Sequence, residues 1–318
     1  MAIASESSPR PTRRELLRYL PAGLLAPLAG AAGTPKPSLD FPTQARARLA
    51  VTSYPFRTMI ESATNRGRNP GIPGMDLTAF PAFAAEKFGI ANINPLLDHF
   101  GSTDRTYIDA FRAALEKSHS RIVDLGLAGR RFYAADSSIR REAIAFGKNC
   151  VDIAVQVGTP SVRQHVAGRK DEKPDVALAA ASFGELAEHG AKRNIVINLE
   201  NDSPGPEDPF FLVAVIEKVN NPYLRALPDF GNSLIGHDDS YNHKAVKAML
   251  GHAFNMCHVK DTVRGDDGKR SQVDLKSMFE LARAASYRGY FSMEFDTDGG
   301  DAIAGTKRLV EETLQHLS

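Results

Sequence analysis

Four residues able to bind a divalent cation sit at the ends of four short apolar runs in the second half of this chain. They are Glu200 in NIVINLE (194–200), Asp229 in YLRALPD (223–229), His258 in FNMCHVKD (254–261) and Glu294 in YFSMEFD (290–296). Successive members stand 29, 29 and 36 residues apart. Such an interval holds one strand, one helix and two loops, so each residue falls at the same place in consecutive strand–helix units. In a parallel barrel the carboxyl ends of all strands open onto one face. Three carboxylates and an imidazole meeting there make a hard, mostly oxygen site for one divalent metal. Mn²⁺, Co²⁺ or Mg²⁺ suit it, and Zn²⁺ is a further choice. One Glu or His at a strand end is ordinarily a salt bridge or a satisfied core residue; four in register make a site.

Strand alternation decides which neighbours share that face. Val196, Asn198 and Glu200 point one way, while Ile195, Ile197 and Leu199 point to the helices. Met256, His258 and Lys260 form a second inward set, Ser292, Glu294 and Asp296 a third, and Arg163 and His165 in SVRQHV a fourth. Polar side chains converging inside a barrel must pair or bind an ion, because a buried unpaired charge is costly.

The elements that would carry them alternate regularly. Strand patterns recur at Leu49–Tyr54, Ile90–Pro95, Arg121–Leu127, Ser161–Val166, Asn194–Glu200, Tyr223–Asp229, Phe254–Val259 and Tyr290–Phe295. Amphipathic helical stretches separate them, among them Tyr107–Ser118, Ile139–Gln156, Val176–Lys192, Phe210–Val219, His243–Leu250 and Leu275–Ala285. Eight such units predict a single-domain α/β fold, a closed (β/α)8 TIM barrel over residues 49–318. An open doubly wound sheet is the alternative. It wants a glycine-rich phosphate loop after an early strand, and neither GxGxxG nor GxxxxGK[ST] occurs. The long loop Pro55–Met75 reads either as a lid at the barrel mouth or as solvated surface.

The chain is 42% hydrophobic and 24% charged with a net charge of +1, which gives no electrostatic case for a nucleic-acid partner. Residues 1–33 hold a basic head with the pair Arg13-Arg14, then the uncharged run Tyr19–Gly33 ending in small residues. That is the pattern of an export signal of the twin-arginine type, with cleavage leaving a periplasmic or secreted protein. The run is too short and too rich in Pro and Gly for a stable membrane anchor. Residues 34–48, Pro-rich and aperiodic, read as a linker. Cys150 and Cys257 fall in a helical and a strand pattern, which favours two buried free thiols over a disulfide.

The motifs VINLEND (196–202), LPDFGN (227–232), CHVKD (257–261) and SMEFD (292–296) resemble the xylose isomerase-like TIM-barrel family of sugar phosphate isomerases and epimerases, over about residues 49–318. By that resemblance Glu200, Asp229, His258 and Glu294 fall on the four metal-ligand positions. It also makes Glu200 and Glu294 the catalytic acid/base pair on opposite faces of the substrate. Arg264 falls near a substrate-contacting arginine position, although RGDDG is also ordinary turn chemistry. Asn232 stands where many ketose epimerases carry a substrate-binding His. Lys260, His165 and Arg163 are further substrate-binding candidates. For Lys260 the competing role is a salt bridge to Glu294 or Asp229, and for His165 a place in the core. The added ligands of a three-metal endonuclease of this family are not apparent in the earlier strands.

The resemblance implies a metal-dependent isomerase or epimerase taking a sugar or polyol-like carbonyl substrate, by proton abstraction and return through the two glutamates. A lyase or dehydratase acting on a keto-sugar or keto-glycoside at the same site is the second reading, and a non-catalytic sugar-binding barrel the third. Pairing with a second copy as a homo-oligomer stays open.

Overall fold

The computed structural model describes residues 35–169, 171–265, 268–296 and 300–317; the export-signal pattern lies outside them. Eight parallel barrel strands follow in order: β1 (Leu49–Thr52), β2 (Asn92–Asn94), β3 (Arg121–Ile122, resuming as Leu125–Arg130), β4 (Ser161–Val166), β5 (Val196–Glu200), β6 (Leu224–Leu227), β7 (Met256–Val259) and β8 (Tyr290–Met293). The helices are α1 (Phe80–Phe88), α2 (Arg105–Lys117), α3 (Ser137–Val157), α4 (Val176–Arg193), α5 (Pro209–Val219), α6 (Asp239–Leu250), α7 (Leu275–Ala284) and α8 (Ala302–Leu317). Each strand lies within a run expected from the sequence, apart from the extension of β3 to Arg130.

The third strand differs from expectation by breaking at Val123-Asp124. Its first part pairs with β2 and its second with β4, so the sheet divides into β7-β8-β1-β2-β3 and β3-β4-β5-β6. Single bridges close the two seams, Leu96 to Gly126 at one, and Ala226 to Ala253 and Asp229 to His258 at the other. The second seam lies between two of the expected metal-ligand positions, so closing the barrel is the act that brings them side by side.

Helix starts are dictated locally. Helices α2 to α7 each begin after an Asp whose carboxylate accepts a main-chain N–H of the first turn: Asp104, Asp136, Asp175, Asp208, Asp238 and Asp274. Asp301 does the same for α8. Such caps satisfy orphan donors and favour the positive end of the helix dipole.

The core has two parts. Ile195, Ile197 and Leu199, as their alternation predicts, join the apolar layer between strands and helices, whereas Ala50, Val123, Leu227, Met256 and Tyr290 form a small cluster inside the barrel. Phe41, from the stretch read as a linker, packs its ring edge-on against Phe254 and Tyr290 at the barrel's amino end. The Pro55–Met75 loop is folded: Phe56 and Ile60 are fully buried, and Ile60–Glu61 pairs with Met75–Asp76. Cys150 and Cys257 are buried free thiols. No helix among the described residues is long and apolar enough to cross a membrane.

Candidate metal centre

Glu200 is the last residue of β5, Asp229 follows β6 by two residues, His258 lies in β7, and Glu294 follows β8 directly. Pairing sets their level: Glu200 is opposite Leu227, Asp229 opposite His258, and His258 opposite Ser292. Their ligand atoms lie within 4.8 Å of one another. All four are buried, from 0% exposed for Asp229 and His258 to 6% for Glu294.

Each glutamate divides its two oxygens between the centre and a fixed cation. Glu200 turns Oε1 to His258 Nδ1, while its Oε2 accepts from Arg163 Nη1. Glu294 turns Oε2 to the same imidazole nitrogen at 3.1 Å, while its Oε1 accepts from Lys260 Nζ at 2.9 Å. Asp229 Oδ1 accepts the main-chain N–H groups of Gly231 and Asn232 at 2.8 and 2.7 Å. Its Oδ2 is buried without a hydrogen bond, with Lys260 Nζ 3.3 Å away.

Opposed charges and burial set the protonation of this cluster. Burial works to raise Glu200, but Arg163 and His258 outweigh it and hold its carboxyl well below the usual range. Glu294 is likewise lowered, by His258 and Lys260, against its burial. Asp229 goes the other way, because burial lifts it to about 6 despite Lys260. Burial lowers the imidazole of His258, and the two glutamates more than reverse that. Three carboxylates thus face two fixed cations and an imidazole drawn toward protonation. A divalent cation taking the imidazole proton's place would meet a ready set of oxygen and nitrogen donors, and Asp229 Oδ2 is the donor left without a hydrogen bond. The residues fit a hard divalent metal.

Above this cluster opens a cavity of about 300 Å³, lined by residues that include Tyr54, Arg163, His165, Asn232, Lys260, Arg264 and Glu294. The ligand cluster and this cavity together hold Glu200, Asp229, His258, Glu294, Arg163, His165, Asn232, Lys260 and Arg264, the candidate ligands and substrate contacts named from the sequence. Lys260 makes ion pairs to both Glu294 and Asp229. Asn232 faces the cavity, but its Oδ1 accepts from Lys260 and its Nδ2 donates to Asn201 O and Asp202 Oδ1, so its amide is engaged within the protein. His165 Nδ1 is held by Glu207 Oε1 at 2.7 Å, and its Nε2 lies 3.6 Å from Glu200 Oε2. Burial lowers His165, yet the Glu207 carboxylate brings it up to about 9. Arg264 ends one strand of a short hairpin, Thr262–Arg264 with Arg270–Gln272, over the mouth.

Several partners were not among the site candidates read from the sequence, although strand alternation had already turned Asn198 and Ser292 inward. Glu207 sits in a loop, and with His165 and Asp202 it forms a second acid–imidazole cluster. Asn201 fixes the Asp229 main chain through Oδ1 at 2.8 Å. Beneath the ligands Asn94, Asp124, Ser161, Asn198, Asn255 and Ser292 are all fully buried. Two glycines make room. A Cβ at Gly126 would overlap the Arg163 guanidinium and Leu96, and one at Gly231 would press on the Lys260 stem, Val263 and Val273. Only the LPDFGN motif already marked one of these two positions.

A model of the xylose isomerase-like TIM barrel family matches residues 83–318. No curated protein matches the sequence. Among solved structures, D-allulose 3-epimerase from Methylomonas sp. superposes with a TM-score of 0.65 at 17% identity, over 87% of this chain and 100% of that one. A xylose isomerase-like TIM barrel protein from Mycobacterium smegmatis, in complex with magnesium, gives 0.65 at 19% identity, over 85% and 96%. A 3-keto-D-glucoside 4-epimerase from E. coli gives 0.61 at 12% identity, over 84% and 98%. At these identities the likeness is one of fold.

Proposed function

The chain belongs to the xylose isomerase-like TIM barrel family, and on that premise we propose that it is a metal-dependent sugar isomerase or epimerase using Glu200 and Glu294 as its acid/base pair. One observation carries the reading: each glutamate turns one oxygen to the shared centre at His258 Nδ1 and anchors the other on a cation lining the cavity. Glu200, Asp229, His258 and Glu294 would hold the metal. When bound, it supplies Lewis-acid polarisation of the substrate carbonyl, which acidifies the neighbouring C–H.

The chain's own residues do the rest. One glutamate takes the proton from the carbon next to the carbonyl, and the other returns it on the opposite face or the adjacent carbon. Lys260, charged throughout the working pH range, donates toward the oxyanion that develops on the substrate. The imidazole of His165, aimed by Glu207, binds a hydroxyl, and Arg163 and Arg264 hold the sugar from the walls. That related folds include a D-allulose 3-epimerase and a 3-keto-D-glucoside 4-epimerase supports a carbohydrate carbonyl as substrate. The N-terminal pattern supports work outside the cytoplasm.

A lyase acting on a keto-glycoside is the second reading. It is favoured by Asn232, whose amide is engaged with Lys260, Asn201 and Asp202 rather than presented as a free sugar-binding group. The deciding experiment incubates metal-loaded protein with ketoses and 3-keto-glucosides in D₂O. An epimer carrying one deuterium at the inverted carbon supports the first reading, and a conjugated enone absorbing in the ultraviolet supports the second. Glu200→Gln and Glu294→Gln should each lose about 10²–10⁴-fold in turnover. Sugar binding without exchange or turnover leaves a binding barrel and refutes both.

A further inference from the structure

The polar floor beneath the ligands is unusual for a barrel interior, where branched apolar layers are the rule. Most of its members bond among themselves: Asp124 accepts from Ser161 and from Asn198 Nδ2, and Asn255 bridges Asn198 and Ser161. Asn94 is the member that bonds upward. Its Nδ2 donates to the Asp124 main-chain oxygen at 3.0 Å and lies 3.3 Å from Asp124 Oδ2. Its Oδ1 lies 2.8 Å from His258 Nε2.

Chemistry fixes the direction of this chain of bonds. A main-chain carbonyl only accepts, so the amide nitrogen of Asn94 must face Asp124, and the amide oxygen must face His258. An amide oxygen only accepts as well, so His258 Nε2 must carry a proton. The nitrogen left for coordination is then Nδ1, the one that faces Glu200 and Glu294. Asn94 belongs to β2 and His258 to β7, 164 residues apart, so the contact spans the barrel interior.

We infer that Asn94 is the positioning residue that makes His258 an Nδ1 ligand, holding the ring by Nε2–H while Asp124 holds the amide. The inference rests on the proposed metal site. Partners that orient a ligating imidazole are worth about 10–100-fold in metal affinity.

Two variants separate this role from a packing role. Asn94→Leu removes the acceptor, whereas Asn94→Asp keeps an oxygen for Nε2–H and gives up the donor to Asp124. In protein labelled with ¹⁵N-histidine, the wild type should show a slowly exchanging His258 Nε2–H resonance with and without Mg²⁺. Asn94→Leu should lose it and bind Mn²⁺ about 10–100-fold more weakly, while Asn94→Asp should retain both the resonance and most of the affinity. The inference is overturned if Asn94→Leu keeps Mn²⁺ affinity within twofold, or if Asn94→Asp is damaged as severely as Asn94→Leu. If the wild type takes up no metal, the metal reading fails separately. The resonance then still decides Asn94, since its survival in Asn94→Leu sinks the inference.

Discussion

Lys260→Met tests the electrostatics of the centre because it removes a charge and little volume. Lys260 is 6% exposed, and its ammonium touches Glu294 Oε1 at 2.9 Å, Asn232 Oδ1 at 2.8 Å and Asp229 Oδ2 at 3.3 Å. At those distances each ion pair is worth roughly 5 kcal/mol before desolvation, with an effective dielectric near 20. Removing one partner of a buried pair costs about 3–5 kcal/mol, because an uncompensated charge is left behind. Here two carboxylates lose their cation at once. At about 2–4 °C per kcal/mol for a domain of this size, chelated Lys260→Met should melt roughly 10 °C below the wild type. Metal affinity should move the opposite way. With one positive charge gone beside Asp229 and Glu294, Mn²⁺ should bind at least about tenfold more tightly and restore more melting temperature than it does in the wild type. Calorimetric melts of chelated protein at pH 7.5 against graded Mn²⁺ read both quantities. The reasoning is refuted if the chelated variant melts within a degree of the wild type, or if it binds Mn²⁺ more weakly.

Two further outcomes follow from residues outside the centre. His99 is 2% exposed with Nδ1 against Ser53 Oγ, and burial, then the Arg57 charge, depress it to about 4. The unfolded chain takes up that proton near pH 6.5, so the contribution is full above pH 6.5 and lost as pH falls toward 4, by up to about 3 kcal/mol. Stability measured from pH 7 to 5 should therefore fall less steeply in His99→Gln; parallel slopes would show that His99 protonates freely. Phe41→Ala should cost about 3 kcal/mol, the low end for a Phe truncation because the ring is only half-buried. An unchanged urea midpoint would mean that residues 35–45 do not seal the barrel.

What could be read from residue order divides from what could not along physical lines. Alternation and helical periodicity come from local backbone geometry, so the eight strands, the inward set Asn198–Glu200 and the outward set Ile195–Leu199 were legible directly. The repeat of about thirty residues between Glu200, Asp229 and His258 was enough to put the candidate ligands on one face, because parallel strands joined by right-handed helices have little choice of order. Cross-barrel contacts have no such local rule. Asn94 in NIN and Asp124 in the gap of β3 look like any polar residue in a short strand, and Glu207 like any loop acid. Their partners lie 164, 37 and 42 residues away for His258, Ser161 and His165. The break in β3 at Val123-Asp124, the seating of Phe41 and the capture of Asn232 by Lys260 likewise depend on where closure of the sheet places distant backbones. Residue types and spacing were thus sufficient to say which side chains could ligate a metal and that they meet. Which nitrogen of His258 and which oxygen of each glutamate face the centre is settled in the folded barrel alone. Those choices are made by hydrogen bonds across the barrel, and such bonds exist only once all eight strands have closed.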